Sequence, residues 1–319
     1  MPAAHIKHQV DHWRVYEDLG FEFSGSGEHL YFYIEKTNLN TADVARMLAQ
    51  AHGVARHQVG YAGLKDKYAV TRQWFSLTTN SDAWLLDEDN VTCLDIQRHT
   101  RKLRRGDHRA NRFEICLSDC DPAVYTLAAS MHEVFPNYFG PQRVSPTNVS
   151  QALEWLANSG LGPGCRETAP TRRGKSRRQR GGRRSERQGW HMSVLRSFLF
   201  NAVLDQRVAG GSYAQVIDGD VVVAGQPTGP LWGRGRSATS GLAAQIEQQA
   251  LAPYAQTCDA LEFVGVSQAR RTFAVVPEGF SATHDKDLVT MKFTLPPGAY
   301  ATALLGHKLE ITDDSKRYE

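Results

Sequence analysis

Apolar and polar positions alternate with period two over residues 13–19 and again over 30–36, which predicts two β-strands. The glycines between them, Gly25 and Gly27, suit a turn, and the two strands are expected to form a hairpin. Val44, Met47, Leu48 and Ala51 then recur at helical spacing behind Asn40, a residue type that caps helices, and this helix is expected to stop at Gly53. Period two returns with Thr71, Gln73, Phe75 and Leu77 on one face and Arg72, Trp74 and Ser76 on the other. Strands over 91–98 and 112–117 follow and are expected to pair antiparallel, and 122–135 reads as a helix opened by Pro122. Helices are also predicted over 148–157, 241–251 and 300–309. Another follows from the stripe Val194, Leu195, Phe198, Leu199, Ala202 and Val203, ending before Gly210 and Gly211. A short strand is expected over 221–224, and the strand over 289–295 should rejoin the first sheet.

One stretch breaks this picture. Residues 159–189 hold almost no large apolar side chain and many Gly, Pro and Arg, so they cannot bury enough surface to offset the entropy of ordering and are expected to be mobile without a ligand. With 319 residues and 41% hydrophobic content, two domains are expected, and this shift marks a boundary between them.

The net charge of +3 conceals a strong asymmetry. Residues 98–112 contain seven Lys or Arg against the single acid Asp107, and residues 166–187 contain ten against Glu167 and Glu186. Cations concentrated on an otherwise acidic chain suit a polyanionic partner such as RNA. The first residues lack the apolar run of a signal peptide and no run of 18 apolar residues occurs, so a cytoplasmic protein without a membrane span is expected. Five cysteines without a C-x-x-C pair argue against a disulfide scaffold. Cys116 with Cys120, and His5 with His8 and His12, are spaced as ligands could be. No carboxylate or thiol joins either group at ligand spacing in sequence, so no metal is expected.

The chemistry concentrates in residues 59–77. Gly60 and Gly63 flank Tyr61 and allow a turn or a close approach, and Asp66 stands between Lys65 and Lys67, where two ammonium groups favour an ionised carboxylate. A K-D-K triplet alone is commonly a solvated turn. The full string Gly63-x-Lys65-Asp66-Lys67-x-Ala69-x-Thr71-x-Gln73-Trp74 is far more specific, and it resembles the signature of the TruD family of tRNA pseudouridine synthases. Further blocks resemble that family: Glu17 to Phe21, Gly27-Glu28-His29, Arg101-Lys102-Leu103-Arg104, Asn137-Tyr138-Phe139-Gly140 with Gln142-Arg143, and Leu295-Pro296-Pro297-Gly298.

The resemblance implies an α+β fold: a catalytic domain with a mainly antiparallel central sheet over residues 1–150 and 272–319, interrupted by an α/β insertion domain over 151–271. It implies a cofactor-free isomerase acting on the uridine at position 13 in the D-arm of tRNA, with Asp66 as the catalytic carboxylate and Lys7 as its cationic partner. Trp13 replaces the family's usual phenylalanine near Lys7, and Arg14 or Lys67 are the alternatives for the cation. Phe139 is expected to receive the flipped base, Asn137 to shape the loop around the acid, and Tyr300 to stand where the family carries phenylalanine. Lys65, Lys67, Arg143, Arg101, Lys102 and Arg104 are expected to meet RNA. A monomer is expected. The competing function is a non-catalytic RNA-binding protein using the same basic stretches.

Overall fold

The computed structural model describes residues 1–159 and 186–318, so most of the arginine-rich stretch singled out above lies outside the described residues. In chain order the first elements are β1 (Ala3–Ile6), β2 (Trp13–Asp18), β3 (His29–Thr37), α1 (Thr41–Ala51), β4 (Gly60–Tyr61), β5 (Val70–Thr78), β6 (Val91–His99), β7 (Ala110–Ser118) and α2 (Pro122–Ala128). Then come β8 (Phe135–Pro136), α3 (Pro146–Asn158), α4 (Glu186–Ala209), β9 (Val222–Val223), β10 (Gln226–Leu231), α5 (Gly241–Leu251), α6 (Ala255–Phe263), β11 (Ala269–Thr272) and β12 (Ala274–Val275). The remaining elements are β13 (Glu278–Asp285), β14 (Leu288–Leu295), α7 (Ala301–Lys308) and β15 (Glu310–Asp313). Contacts divide the chain into one unit of residues 1–133, 276–301 and 305–319, and a second of 134–275 with 302–304.

The first unit is built on a ten-stranded sheet of the α+β class, in the order β13-β14-β7-β2-β5-β3-β6. β1 is joined to β7 and β15, and β4 to β5. All pairings are antiparallel except β2 with β5 and β1 with β15. The apolar row Leu30, Phe32 and Ile34 of β3 faces the same cluster as Phe75 and Leu77 of β5, and α1 covers it with Val44 and Leu48. Each of these side chains, fully withdrawn from water, contributes about 1.5–3 kcal/mol. On the opposite face Tyr31, Trp74, Leu19 and Leu103 form a second cluster.

Two expected pairings are not found. β2 and β3 do not form a hairpin, because β5 lies between them, parallel to β2 and antiparallel to β3. β5 is buried along almost its whole length, and a strand covered on both faces and paired on both edges belongs at the centre of a sheet. Nor do β6 and β7 pair: β6 is the sheet edge beyond β3, whereas β7 lies between β2 and β14. At about 4.8 Å per strand, the basic connection between them must cross roughly 19 Å over the ends of three strands, which the ten residues 100–109 can span. β14 does join the first sheet through β7. The helix expected over 122–135 ends at Ala128. Pro136 holds Phe135 in extended backbone, and the two residues form β8, paired with β12.

The second unit packs around α4, whose Leu195, Leu199, Phe200, Val203 and Leu204 are wholly buried among α3, α5 and α6. Arg207 of α4 is buried with it and paired with Asp220 at 2.8 Å. No described helix is long and apolar enough to cross a membrane.

Candidate active site

Asp66 sits on the loop between β4 and β5, with a carboxylate that is about one-third exposed. The Lys7 ammonium lies 3.6 Å from Oδ1, and the Trp13 indole Nε1 donates to Oδ2 at 3.2 Å. One carboxylate oxygen therefore faces an ammonium and the other an indole N–H. Lys7 follows β1 in a left-handed conformation (φ 58°), and its Nζ lies 4.8 Å above the Trp13 ring. Its other neighbour is the Asp313 carboxylate of β15, at 3.7 Å. Among the described residues Lys7 is the cation within 4.0 Å of the Asp66 carboxylate. Arg14 instead donates to the Asp11 carbonyl at 3.1 Å, and Lys67 is exposed.

Residues of the signature string and the first residue of α1 bond the loop from beneath. Thr41 Oγ1 accepts from the Lys65 amide at 3.0 Å and donates to Gln73 Oε1 at 2.8 Å, while Gln73 Nε2 donates to the Gly63 carbonyl at 3.2 Å. Lys65, expected on the RNA surface, turns inward: its ammonium pairs with Glu17 at 2.7 Å, and both side chains are buried. The second oxygen of Glu17 accepts from the Trp74 amide of β5 at 3.0 Å. Lys36, the last residue of the apolar row on β3, is fully buried and donates to the Asp66 carbonyl at 2.8 Å.

The crossing of residues 100–109 brings the basic stretch to this loop. Gly106 N–H donates to the Ala62 carbonyl at 2.8 Å, and the Leu103 amide donates to Ser76 Oγ at 2.9 Å. A Cβ at Gly60 would lie 2.2 Å from the Leu103 carbonyl oxygen, so glycine is what lets the connection lie against β4. His108 is half-buried near Gly63, and burial, then the charge of Lys65, push its pKa below the ordinary value, so it is neutral at neutral pH. Arg101 pairs with Asp107 at 3.0 Å, and Lys102 donates to the His57 carbonyl at 2.6 Å. Arg104 is exposed and has no ion pair among the described residues. Arg98 and Arg109 are neutralised by Asp82 and Asp18, acids distant in sequence. The cationic surface is thus narrower than the local count suggests.

The other expected residues divide between the units. Tyr300, in the first unit, occupies the N-cap position of α7. In the second, Asn137 is buried and donates to the Thr272 carbonyl at 2.9 Å, while its own oxygens accept from Arg271. Phe139 is half-buried: the Arg271 guanidinium lies 4.1 Å from its centroid and Phe200 meets it edge-on at 5.5 Å. Arg143 lies 5.1 Å over Trp190 and donates to Ser193. Of the residues considered as metal ligands, His5 and His8 approach the buried Asp314 carboxylate at 3.1 and 3.3 Å. Asp119 lies within the same 4.8 Å group as His5 and Asp314. Sequence spacing could not show this, because the carboxylates come from distant segments. Asp314 is also paired with Arg317 at 3.0 Å, so its oxygens are already engaged.

Comparison with known proteins identifies the family. The family model for tRNA pseudouridine synthase D (TruD) matches residues 3–146, the span that holds Lys7, Trp13, Asp66 and the basic crossing. The tRNA pseudouridine synthase D of Aeromonas salmonicida is 36% identical, covering 96% of this chain and 91% of that protein. The chain belongs to the TruD family. The tRNA pseudouridine synthase D of Cellvibrio japonicus is likewise 36% identical, over 99% of this chain and 92% of its own. A crystal structure assigned to TruD of Methanosarcina mazei superposes with a TM-score of 0.66 at 18% identity, covering 96% of this chain and 93% of that one, and shares the fold. Members of the TruD family are isomerases, and the non-catalytic alternative is set aside.

Lys7→Met is expected to slow the reaction about 10–100-fold with RNA affinity near that of the wild type, because the cation is set against the Asp66 carboxylate and not on the outer surface. Single-turnover rates and filter binding check this; a rate unchanged by the substitution would return Lys67 to consideration.

Proposed function

We propose that the protein converts the uridine at position 13 in the D-arm of tRNA to pseudouridine, with Asp66 as nucleophile or proton-transfer group and without a cofactor. The bond between ribose C1′ and uracil N1 breaks, the detached base rotates, and C1′ joins C5. N1 gains a proton and C5 loses one, so the mass is unchanged. Such chemistry asks for one ionised carboxylate and a site that holds the loose base, and little else. The observation that carries the proposal is the Asp66 carboxylate, partly open to solvent, with the Lys7 ammonium 3.6 Å from one oxygen, Trp13 donating to the other and a basic crossing beside it. A stacked base must leave its helix to reach such a carboxylate.

The test is tritium release from tRNA transcripts labelled at uracil C5, followed by mapping of the modified nucleotide. Release with modification at position 13 is expected. Release from another position would keep the reaction and remove the site assignment; no release would remove both.

The exposed cations should supply affinity without base selectivity. Replacing Arg104 and Arg105 by Ser should weaken binding to all tRNAs alike and reduce the magnitude of the log affinity against log salt slope by about 1–2. An unchanged slope would mean that neither guanidinium meets a phosphate.

A further inference from the structure

In β3 the row that faces α1 runs Leu30, Phe32, Ile34 and then Lys36, so a lysine takes the place where the pattern calls for another apolar residue. Its side chain has no exposure to solvent, and no carboxylate forms an ion pair with it among the described residues. Burying a lone ammonium is costly unless its protons are matched. Two of its three protons are matched here by main-chain oxygens: Nζ donates to the Leu39 carbonyl at 2.6 Å and to the Asp66 carbonyl at 2.8 Å. One joins the segment entering α1, and the other belongs to the reacting residue itself. Neither bond is needed to complete a strand or a helix.

We propose that Lys36 is a positioning residue: its buried ammonium fastens the main chain of Asp66 to the segment before α1, and so fixes where the Asp66 carboxylate stands relative to Lys7 and Trp13. This rests on the assignment of Asp66 as the reacting carboxylate. Charge-assisted bonds are roughly twice as strong as neutral ones, so the clamp is tight only while the amine is protonated. Burial pushes the Lys36 pKa down to about 8, with the charges of Asp66 and Asp43 opposing the shift and that of Lys65 adding to it.

The sign of the pH effect separates positioning from mere stability. Because the folded pKa lies below the ordinary lysine value, the unfolded chain holds the proton over a pH range in which the native chain has lost it. Stability from this group therefore rises with pH from about 8 upward, as the cost of the buried charge fades. Activity is expected to run the other way, falling through the same range as the clamp loosens.

The experiment compares wild type with Lys36→Met, which keeps the volume and removes the donors. At saturating tRNA and pH 7 the variant should be slower by about 10–100-fold in single turnover, with affinity for tRNA unchanged. Amide hydrogen exchange should quicken in residues 62–69 and stay as in wild type elsewhere, and the alkaline fall in rate should vanish. A variant with the wild-type rate and wild-type exchange in this loop overturns the proposal. Should the variant not fold, titration of the wild-type lysines by carbon-13 NMR decides: a single-turnover rate that stays level while Lys36 loses its proton overturns it equally. Asp66→Asn, run in parallel, separates the two assignments. If it stays active, the role of Asp66 fails whatever Lys36 does; if it is inactive while Lys36→Met matches wild type, only the clamp fails.

Discussion

Asp66→Asn should abolish turnover while leaving the fold and tRNA affinity near those of the wild type. The amide keeps the size of the carboxylate, and the Trp13 indole can still donate to its oxygen. The charge facing Lys7 is lost, and with it the proposed nucleophile or proton-transfer group. A loss of at least about 10³-fold in single-turnover rate is expected, equal to roughly 4 kcal/mol in the barrier. Tritium release at saturating tRNA measures it, and a rate within about tenfold of wild type would make the proposed role untenable. Circular dichroism and binding in the same preparations would show that the loss is chemical.

The largest effect on stability is expected at Glu17. Its carboxylate is buried, paired with Lys65 and bonded to the Trp74 amide, so Glu17→Ala strands a buried ammonium and an amide of the central strand at once. Removing one partner of a buried pair costs about 3–5 kcal/mol. Urea unfolding should show a lower midpoint for the first unit with an unchanged slope. Replacing both partners, Glu17→Met with Lys65→Met, should recover much of the loss, because the pair's desolvation cost goes with it. A double variant no more stable than Glu17→Ala would show that the amide bond to Trp74, and not the stranded charge, sets the cost.

Periodicity identified most of the elements because each strand or helix writes its buried face into its own residues. It could not say which strand lies beside which. Local alternation in β2 and β3 is the same whether they touch each other or both touch β5, and the mixed faces of β5, with Thr71 and Gln73 on one side and Arg72 and Ser76 on the other, do not mark its central place. The charge pattern misled in a related way, since Asp18 and Asp82 reach Arg109 and Arg98 from elsewhere in the chain. The signature string exposed Asp66, and the resemblance exposed Lys7. Trp13 as a donor to the carboxylate needed the structure, because its indole meets a residue 53 positions away. Lys36 did leave a signal: a lysine closing the row Leu30, Phe32, Ile34 is the exception that a buried role explains. The inward turn of Lys65 left none, because its partner Glu17 lies 48 positions away.

The parallel pairing of β1 with β15 sets Ile6 opposite Asp313, and that pairing puts the Asp313 carboxylate beside Lys7. The two strands are about three hundred residues apart, so during synthesis the first must wait on the ribosome for the second. At 5–20 residues per second that interval is roughly 15–60 seconds. Until residues 310–313 emerge, β1 has one of its two neighbours, and Lys7 lacks one of the two carboxylates that hold it. A nascent chain can therefore have its central strands and its Asp66 loop in place well before the Lys7 ammonium has both of its carboxylates. The second carboxylate on Lys7 is thus made about three hundred residues after the lysine it meets, and the Lys7–Asp66 pair takes its full setting only when β15 docks on β1.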